Sequence, residues 1–402
     1  MKLTYKTTAK ACYLGYITQA AVNNLAPLLF IVFNTKYGLS YDLISVLILL
    51  NFITQLATDA LSVKLCHVLS TRTLVVSAHI MCAAGLLMMG VLPMLIPVPF
   101  AGLCAAVIIY AVGGGLIEVL VSPIIEALPE DGRNKAAAMS LLHSFYCWGQ
   151  AAVILLSTGY IAFFGDGIWY LLPMFWALLP AANAILFTKA PLVPEPPPSE
   201  QSKLRSVFTR KGFILIMILM LCAGACELTI SQWSSMFAQR GLEVTKAVGD
   251  LLGPCLFALL MGGGRLLNSL LAHKINLYAV LTASGVLCAA CYVTVSLSDN
   301  ALLSLTACAV CGLSVAVMWP GTFSLAAEKY KDGGTGMFGI MALCGDLGCA
   351  SGPFLAGMIC DTALSSGATE AEGMRAGFSL ALIFPILLTV GAILLRRTGK
   401  NN

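Results

Sequence analysis

Charge is what this sequence has least of. Lys, Arg, Asp and Glu make up only 10% of its 402 residues while 59% are hydrophobic, and so few charges cannot cover the surface of a water-soluble fold of that size. The deficit excludes a soluble enzyme or a nucleic-acid-binding domain and calls for a lipid solvent. Chemical signatures are missing as well. No glycine-rich phosphate loop ending in Gly-Lys-Ser/Thr occurs, which excludes direct ATP hydrolysis. No His-Glu-x-x-His pair occurs, and Ser, His and Asp are spread without a nucleophile motif. The expectation is a protein that is not an enzyme and carries no cofactor or metal. Strict polar–apolar alternation, the mark of a membrane β-barrel, is absent too.

What the sequence does have is long apolar runs. They fall near 11–33, 42–63, 73–95, 100–125, 136–163, 168–188, 213–237, 247–272, 277–297, 301–327, 334–360 and 376–395, and each is long enough for the ~20 residues that a spanning helix needs. Backbone groups in lipid must be satisfied within the segment, so such runs are helices. A proline-rich, charged segment at 189–211 interrupts them midway. The expected fold is therefore an all-α membrane protein of twelve transmembrane helices in two pseudo-symmetric six-helix bundles, 1–188 and 212–402, joined by a cytoplasmic linker.

The basic residues set the orientation. With the N-terminus inside, eighteen of the 23 Lys and Arg fall on the cytoplasmic side, four fall outside (Lys36, Arg240, Lys246, Arg375), and Arg265 lies within a span. Both termini are thus expected in the cytoplasm of a bacterial-type cell, in the inner membrane. The first apolar run exceeds a signal-peptide core and contains Asn23, Asn24 and Pro27, so it reads as a retained span. The fifteen cysteines lie mostly within spans, including Cys288-x-x-Cys291 and Cys308-x-x-Cys311. With no histidine or carboxylate beside them, they read as small packing residues rather than as metal ligands or disulfides.

The halves share a register. A shift of 206 places Asp59 through His67 to Ser70 over Arg265 through His273 to Asn276, histidine on histidine, each at the cytoplasmic end of the second span of its half. Parallel repeats about an axis along the membrane normal require that correspondence. The stretch Val63-Lys-Leu-Cys-His67-Val-Leu-Ser70-Thr-Arg72 resembles the loop signature of the major facilitator superfamily, Gly-x-Leu-Ala-Asp-Arg-x-Gly-Arg-Arg. Leu65 and Arg72 fit, whereas the usual glycine, aspartate and second glycine are Val63, His67 and Ser70. In the family this loop latches the cytoplasmic gate. The resemblance therefore implies gating roles for Asp59, Lys64, His67 and Arg72, with Asp59 or His67 in place of the missing aspartate and an ordinary loop contact as the alternative.

Ionisable residues inside spans carry more information, because a mid-bilayer charge costs several kcal/mol unless it has a partner or a wet cavity. The candidates are Asp59, Glu118, Glu227, Arg265 and Asp346. Glu118 follows Gly113-Gly114-Gly115 and shares a helix face with Ser122, one turn before Pro123. The run from Gly115 to Pro123, followed by Met139 to Gly149, resembles spans 4 and 5 of the fucose permease branch of the same superfamily. Glu118, Pro123, Phe145 and Gly149 match that pattern, while Ser122, His143 and Tyr146 replace asparagine, glutamine and asparagine. On span 1, Val22-Asn23-Asn24-Leu25-Ala26-Pro27 resembles the branch's Ala-Asn-Asn-Leu-Asn-Asp, with Pro27 where its coupling aspartate stands. The resemblance implies that Asn23, Asn24, Glu118, Ser122, His143 and Tyr146 line a solute site.

Glu118 and His143 each lie roughly 10 to 15 Å from the cytoplasmic end at 1.5 Å per residue, a depth at which they can meet as a proton-exchanging pair near neutral pH. A single hydrogen bond from His143 to a neighbouring helix, or to solute, is the alternative. In the second half, Glu227, Ser231 and Ser234 recur at helical spacing beside Gln232 and Trp233. An aromatic plate beside hydrogen-bonding groups suits a sugar, although Trp233 also fits an interfacial anchor. Trp319-Pro320 and Gly345-Asp346 complete the candidate solute-binding set. Arg265 reads either as a snorkelling residue or as a gate that pairs with a carboxylate such as Glu126. Together these readings predict a monomeric secondary transporter in the lipid bilayer. It would move a small-molecule solute, a sugar first, by alternating access, with protons as the coupling ion in symport. An exporter of drug-like or metabolite solutes and a non-transporting sensor on the same fold are the rivals; the short tails and central segment disfavour the sensor.

Overall fold

The structure, a computed structural model, describes residues 4–129, 135–193, 212–271, 276–330 and 334–400, leaving out the side chains at 63, 64, 67, 135–140, 269–271, 334–336, 338 and 398–400. Residues 194–211 of the expected linker, and His273, lie outside the described residues. The chain divides into two compact units, Met1–Glu195 and Pro196–Asn402.

Unit 1 holds α1 (Tyr5–Leu28), α2 (Phe30–Tyr37), α3 (Tyr41–Val68), α4 (Thr71–Leu95), α5 (Pro99–Ala127), α6 (Lys135–Phe164) and α7 (Leu171–Lys189). The first described helix of unit 2 is α8 (Phe213–Met236), which runs on through a π-helical turn at Phe237–Gly241. Then come α9 (Lys246–Asp250), a second π turn at Leu251–Cys255, and α10 (Leu256–Leu271). The unit closes with α11 (Leu277–Leu297), α12 (Ala301–Val315), α13 (Met318–Lys329), α14 (Gly334–Ser365), α15 (Glu370–Ala381) and α16 (Ile383–Lys400). Among the described residues, eleven helical stretches are long and apolar enough to cross a membrane, and the bent pair α1–α2 makes a twelfth when counted as one span.

Among the described residues, three spans expected to be continuous are broken, and proline marks each break. Pro27 lies in the last turn of α1, and α2 departs at 42° after Leu29, because a proline within a helix removes a donor and crowds the preceding turn. Pro320 occupies the first turn of α13, after a two-residue gap that splits span 10, where a missing N–H is tolerated. Pro385 does the same for α16, after the break at Leu382. Gly38 then ends α2 in the left-handed region, φ 63°, a conformation that costs glycine little.

Each unit is held by the same pairing scheme. In unit 1, α1 packs on α6 and α7, α3 on α5, and α4 on α5 and α7. In unit 2, α8 packs on α14 and α16, α10 on α12, and α11 on α12 and α16. Numbered by span, the partners of spans 1 to 6 are repeated by spans 7 to 12, so the pseudo-symmetry is present in the packing and not in the span count alone. Close approach depends on small residues. A methyl group built on Gly113 of α5 would overlap the Ala78 carbonyl of α4, and one on Gly348 of α14 would overlap the Leu221 carbonyl of α8.

Candidate functional site

Helix α1 organises the polar side chains of unit 1. Gln19 donates to the Glu118 carboxylate at 2.5 Å. One turn earlier, the Tyr16 hydroxyl lies 3.0 Å from Ser122 Oγ, and its ring meets the His143 imidazole edge-on with centroids 5.2 Å apart. Asn24 donates to the Tyr146 hydroxyl at 3.4 Å and to its own helix at Ala20. Tyr13 stacks on Phe145 at 4.4 Å. Glu118, Ser122, His143, Tyr146 and Asn24 are thus gathered along one helix. The first four of these remain half-exposed or exposed. A carboxylate facing hydrocarbon at this depth costs several kcal/mol, so the open side of this wall meets water.

Asn23 turns elsewhere, into a buried carboxamide cluster. Its Oδ1 accepts from Gln55 at 2.7 Å and from Asn51 at 3.2 Å, and Gln55 also donates to Asn51 at 3.1 Å. Asp59, one turn beyond Gln55 on α3, lies against Gly115 of α5, where an added Cβ would stand 2.9 Å from its Oδ1. Arg72 donates to the Phe187 and Thr188 carbonyls at 2.6 and 2.9 Å, ends that α7 leaves without partners of its own. The structure thus gives Arg72 a helix-capping contact. The side chains of Lys64 and His67 lie outside the described residues.

Unit 2 has an internal ion pair. Arg265 of α10 reaches Glu227 of α8, Nη2 to Oε2 at 3.2 Å. Glu227 lies in the same unit as Arg265 and was not among the partners that the sequence reading named for it. Trp233 is buried, and its indole N–H donates to the Pro353 carbonyl at 2.9 Å, which makes it neither an interfacial anchor nor an open plate. Gln232 and Asp346 are buried as well. Trp319 remains half-exposed, with its ring lying against Gly345 and 6.2 Å from Phe323. The two Cys-x-x-Cys runs meet through Cys288 and Cys311, whose sulfurs are 3.8 Å apart.

Several placed residues escaped the sequence reading. Tyr16 and Gln19 precede the already noted Asn23 at spacings of three and four, a polar stripe on an apolar span that periodicity alone signals. Asn51 and Gln55 repeat it on α3. His79, fully buried, is held by Val75 O on Nδ1 at 2.7 Å and by the Asn183 amide on Nε2 at 2.9 Å, while the same amide donates to Ala11 O at 2.9 Å. This fixes a neutral imidazole, Nδ1 protonated, as a clamp of α1, α4 and α7. Near the π turns of unit 2, buried Asp250 takes a hydrogen bond from Ser235 and pairs with Lys246 at 3.0 Å. The i,i+4 spacing of Lys246 and Asp250 was its only sequence signal.

Apolar spans in two like-built units, with carboxylates and amides turned inward, define an integral membrane transporter and not an enzyme. The chain belongs to the Major Facilitator Superfamily, whose sequence pattern it matches over residues 12–353. It is 27% identical over 260 residues to the membrane protein MosC of Rhizobium meliloti, a match that takes in 64% of this chain and only 61% of that relative's length. Among solved structures, the nucleoside transporter NupG superposes with a TM-score of 0.77 at 13% identity, over 97% of this chain and 98% of its own. A bacterial homologue of the human lysosomal transporter Spinster, inward-facing and occupied, gives 0.73 at 13% identity over 97% and 96%. A D-xylose–proton symporter gives 0.72 at 15% over 97% and 95%. At these identities the likeness is one of fold.

Proposed function

We propose that this protein is a secondary active transporter that moves a sugar by alternating access, coupled to protons through Glu118 and His143. It would act in the inner membrane of a bacterial-type cell with both termini in the cytoplasm, in keeping with the eighteen basic residues assigned to that side. The observation that carries the proposal is the wall along α1. There a half-exposed carboxylate held by an amide, a hydroxyl pair, an imidazole and aromatic rings lie together within the spans of unit 1. Hydroxyl-bearing rings need that combination: amide and carboxylate groups to fix hydroxyls, and aromatic area to cover the apolar faces of the ring.

Glu118 suits the coupling role because it is a half-exposed carboxylate within a span, and protonation would rearrange its contact with Gln19. Through Tyr16, Ser122 and His143 are tied to that same stretch of helix. The D-xylose–proton symporter on the same fold and the resemblance of spans 4 and 5 to the fucose permease branch agree with a sugar and with symport.

The test has two parts. Purified protein is screened for thermal stabilisation by D-xylose, L-fucose and uridine, and the solute that stabilises it is followed into vesicles with and without an imposed pH gradient. Glu118→Gln should abolish gradient-driven accumulation while leaving exchange of solute across the membrane. Accumulation that survives the substitution would remove Glu118 from coupling. Stabilisation by none of the sugars would remove the sugar.

A further inference from the structure

We infer that Gly345 is a positioning residue for solute recognition: its bare Cα seats the indole of Trp319 so that the remaining, half-exposed part of the ring forms the stacking surface for a sugar. The inference rests on the sugar-transport proposal above and adds to it the residue that sets the aromatic contact.

The geometry is specific to this glycine. The three atoms nearest a methyl group built on Gly345 all belong to the six-membered ring of Trp319. The atoms that such a methyl would overlap are those of the indole, so the ring is what must move. On its other side the same residue is held fast, because its carbonyl lies against Gly224 of α8, which has no room for a methyl group either. Gly345 is therefore a fixed floor, and the ring rests on it. Trp319 itself stands in the first turn of α13, directly after the break that divides span 10. Its backbone is thus set by a helix start and not by a continuous span.

The surroundings point to a solute. Asp346 follows Gly345 on α14, and Glu227, paired with Arg265, is one turn beyond Gly224 on α8. Since Gly224 and Gly345 touch, the aromatic surface and these carboxylates lie within about one helical turn, ~5 Å along the axes, of a single contact. Trp233, the other tryptophan considered as a plate, is buried with its N–H spent on Pro353. Trp319 keeps open ring surface, the kind of aromatic area that covers the apolar face of a pyranose or furanose.

The full-length protein is labelled with 5-fluorotryptophan, which yields one 19F resonance for each of its 5 tryptophans, and Trp319→Phe assigns the line of interest. Without solute, Gly345→Ala should move the Trp319 line and leave the others in place. In wild type, D-xylose or L-fucose should shift the same line, and Gly345→Ala should weaken that sugar about tenfold, the order expected for losing one aromatic contact. In the Trp319→Phe background the alanine should have no further effect on affinity. The inference is overturned if the Trp319 line ignores Gly345→Ala, or if the alanine weakens binding equally with and without the indole. It is also overturned if sugar binds without moving that line. Binding of uridine alone, or of no probe, refutes the stacking role together with the sugar proposal, while the solute-free line still reports separately whether the glycine seats the ring. Should Gly345→Ala not fold, the smaller ring of the Gly345→Ala/Trp319→Phe protein should restore folding; its failure would assign the glycine to helix packing and refute the inference.

Discussion

Removing Arg265 strands a buried carboxylate, and the size of the effect follows from the structure. Glu227 and Arg265 are joined at 3.2 Å with side chains only 10% and 20% exposed, so water screens the pair weakly. Deleting one member of a buried pair costs ~3–5 kcal/mol, because the other charge is left in a low-dielectric site. The 20% exposure of the guanidinium places Arg265→Met at the lower end, about 3 kcal/mol. At roughly 2 °C or less per kcal/mol for a chain larger than 250 residues, detergent-purified Arg265→Met should melt about 5 °C below wild type. The charge, not the lost volume, is responsible, so replacing both partners by apolar residues should recover most of the loss. Glu227→Leu/Arg265→Met is therefore expected to melt above either single variant. Thermal melts of the four proteins, read by loss of the monodisperse species, complete the cycle. A single variant as stable as wild type, or a double variant that loses the sum of the two, would refute the pair as a structural element.

Three further outcomes follow from unit 1 and from the seam of unit 2. Gln19→Ala removes a donor on Glu118, a hydrogen bond to a charged group worth ~1.5–3 kcal/mol; solute uptake by vesicles should fall roughly tenfold or more, and undiminished uptake would place the contact outside the transport cycle. Asn183→Leu leaves His79 Nε2 and the Ala11 carbonyl without their shared donor, at ~1–3 kcal/mol for each buried group, so the melt should drop by several degrees, against the expectation of no change if the clamp is incidental. Gly348→Ala drives a methyl into the Leu221 carbonyl and should destabilise by about 1–3 kcal/mol, whereas Gly263→Ala, with open space around its Cα, should be neutral or better; equal melts would refute close packing of α8 on α14.

The spans could be read directly because lipid imposes a condition on every residue of a segment: ~20 apolar residues, all hydrogen bonds internal. Glu118 and Glu227 were legible for the converse reason, since a charge in such a segment is costly enough to need a partner or a wet cavity. Gln19 was passed over because an amide is cheap enough to be common and announces itself only through its spacing from Tyr16 and Asn23. His79 and Asn183 are 104 residues apart in the chain, and neither stands in a motif. Trp233 looked like an open plate because it neighbours polar residues on α8; the carbonyl that captures its N–H belongs to Pro353, 120 residues away.

By itself, the sequence determined that this chain is a polytopic helical membrane protein with an internal repeat, because hydrophobicity and charge placement act residue by residue and need no knowledge of neighbours. Only the tertiary structure decided which polar groups meet. It took Arg265 to Glu227, gathered Ser122 and His143 on Tyr16, spent the indole N–H of Trp233 inside the bundle, and laid Trp319 on Gly345. Side chains in a span reach a few ångströms, so their partners are chosen by which helices pack and at what height. Those choices are made by small residues such as Gly113, Gly224 and Gly345, whose identity is plain in the sequence and whose contacts are not.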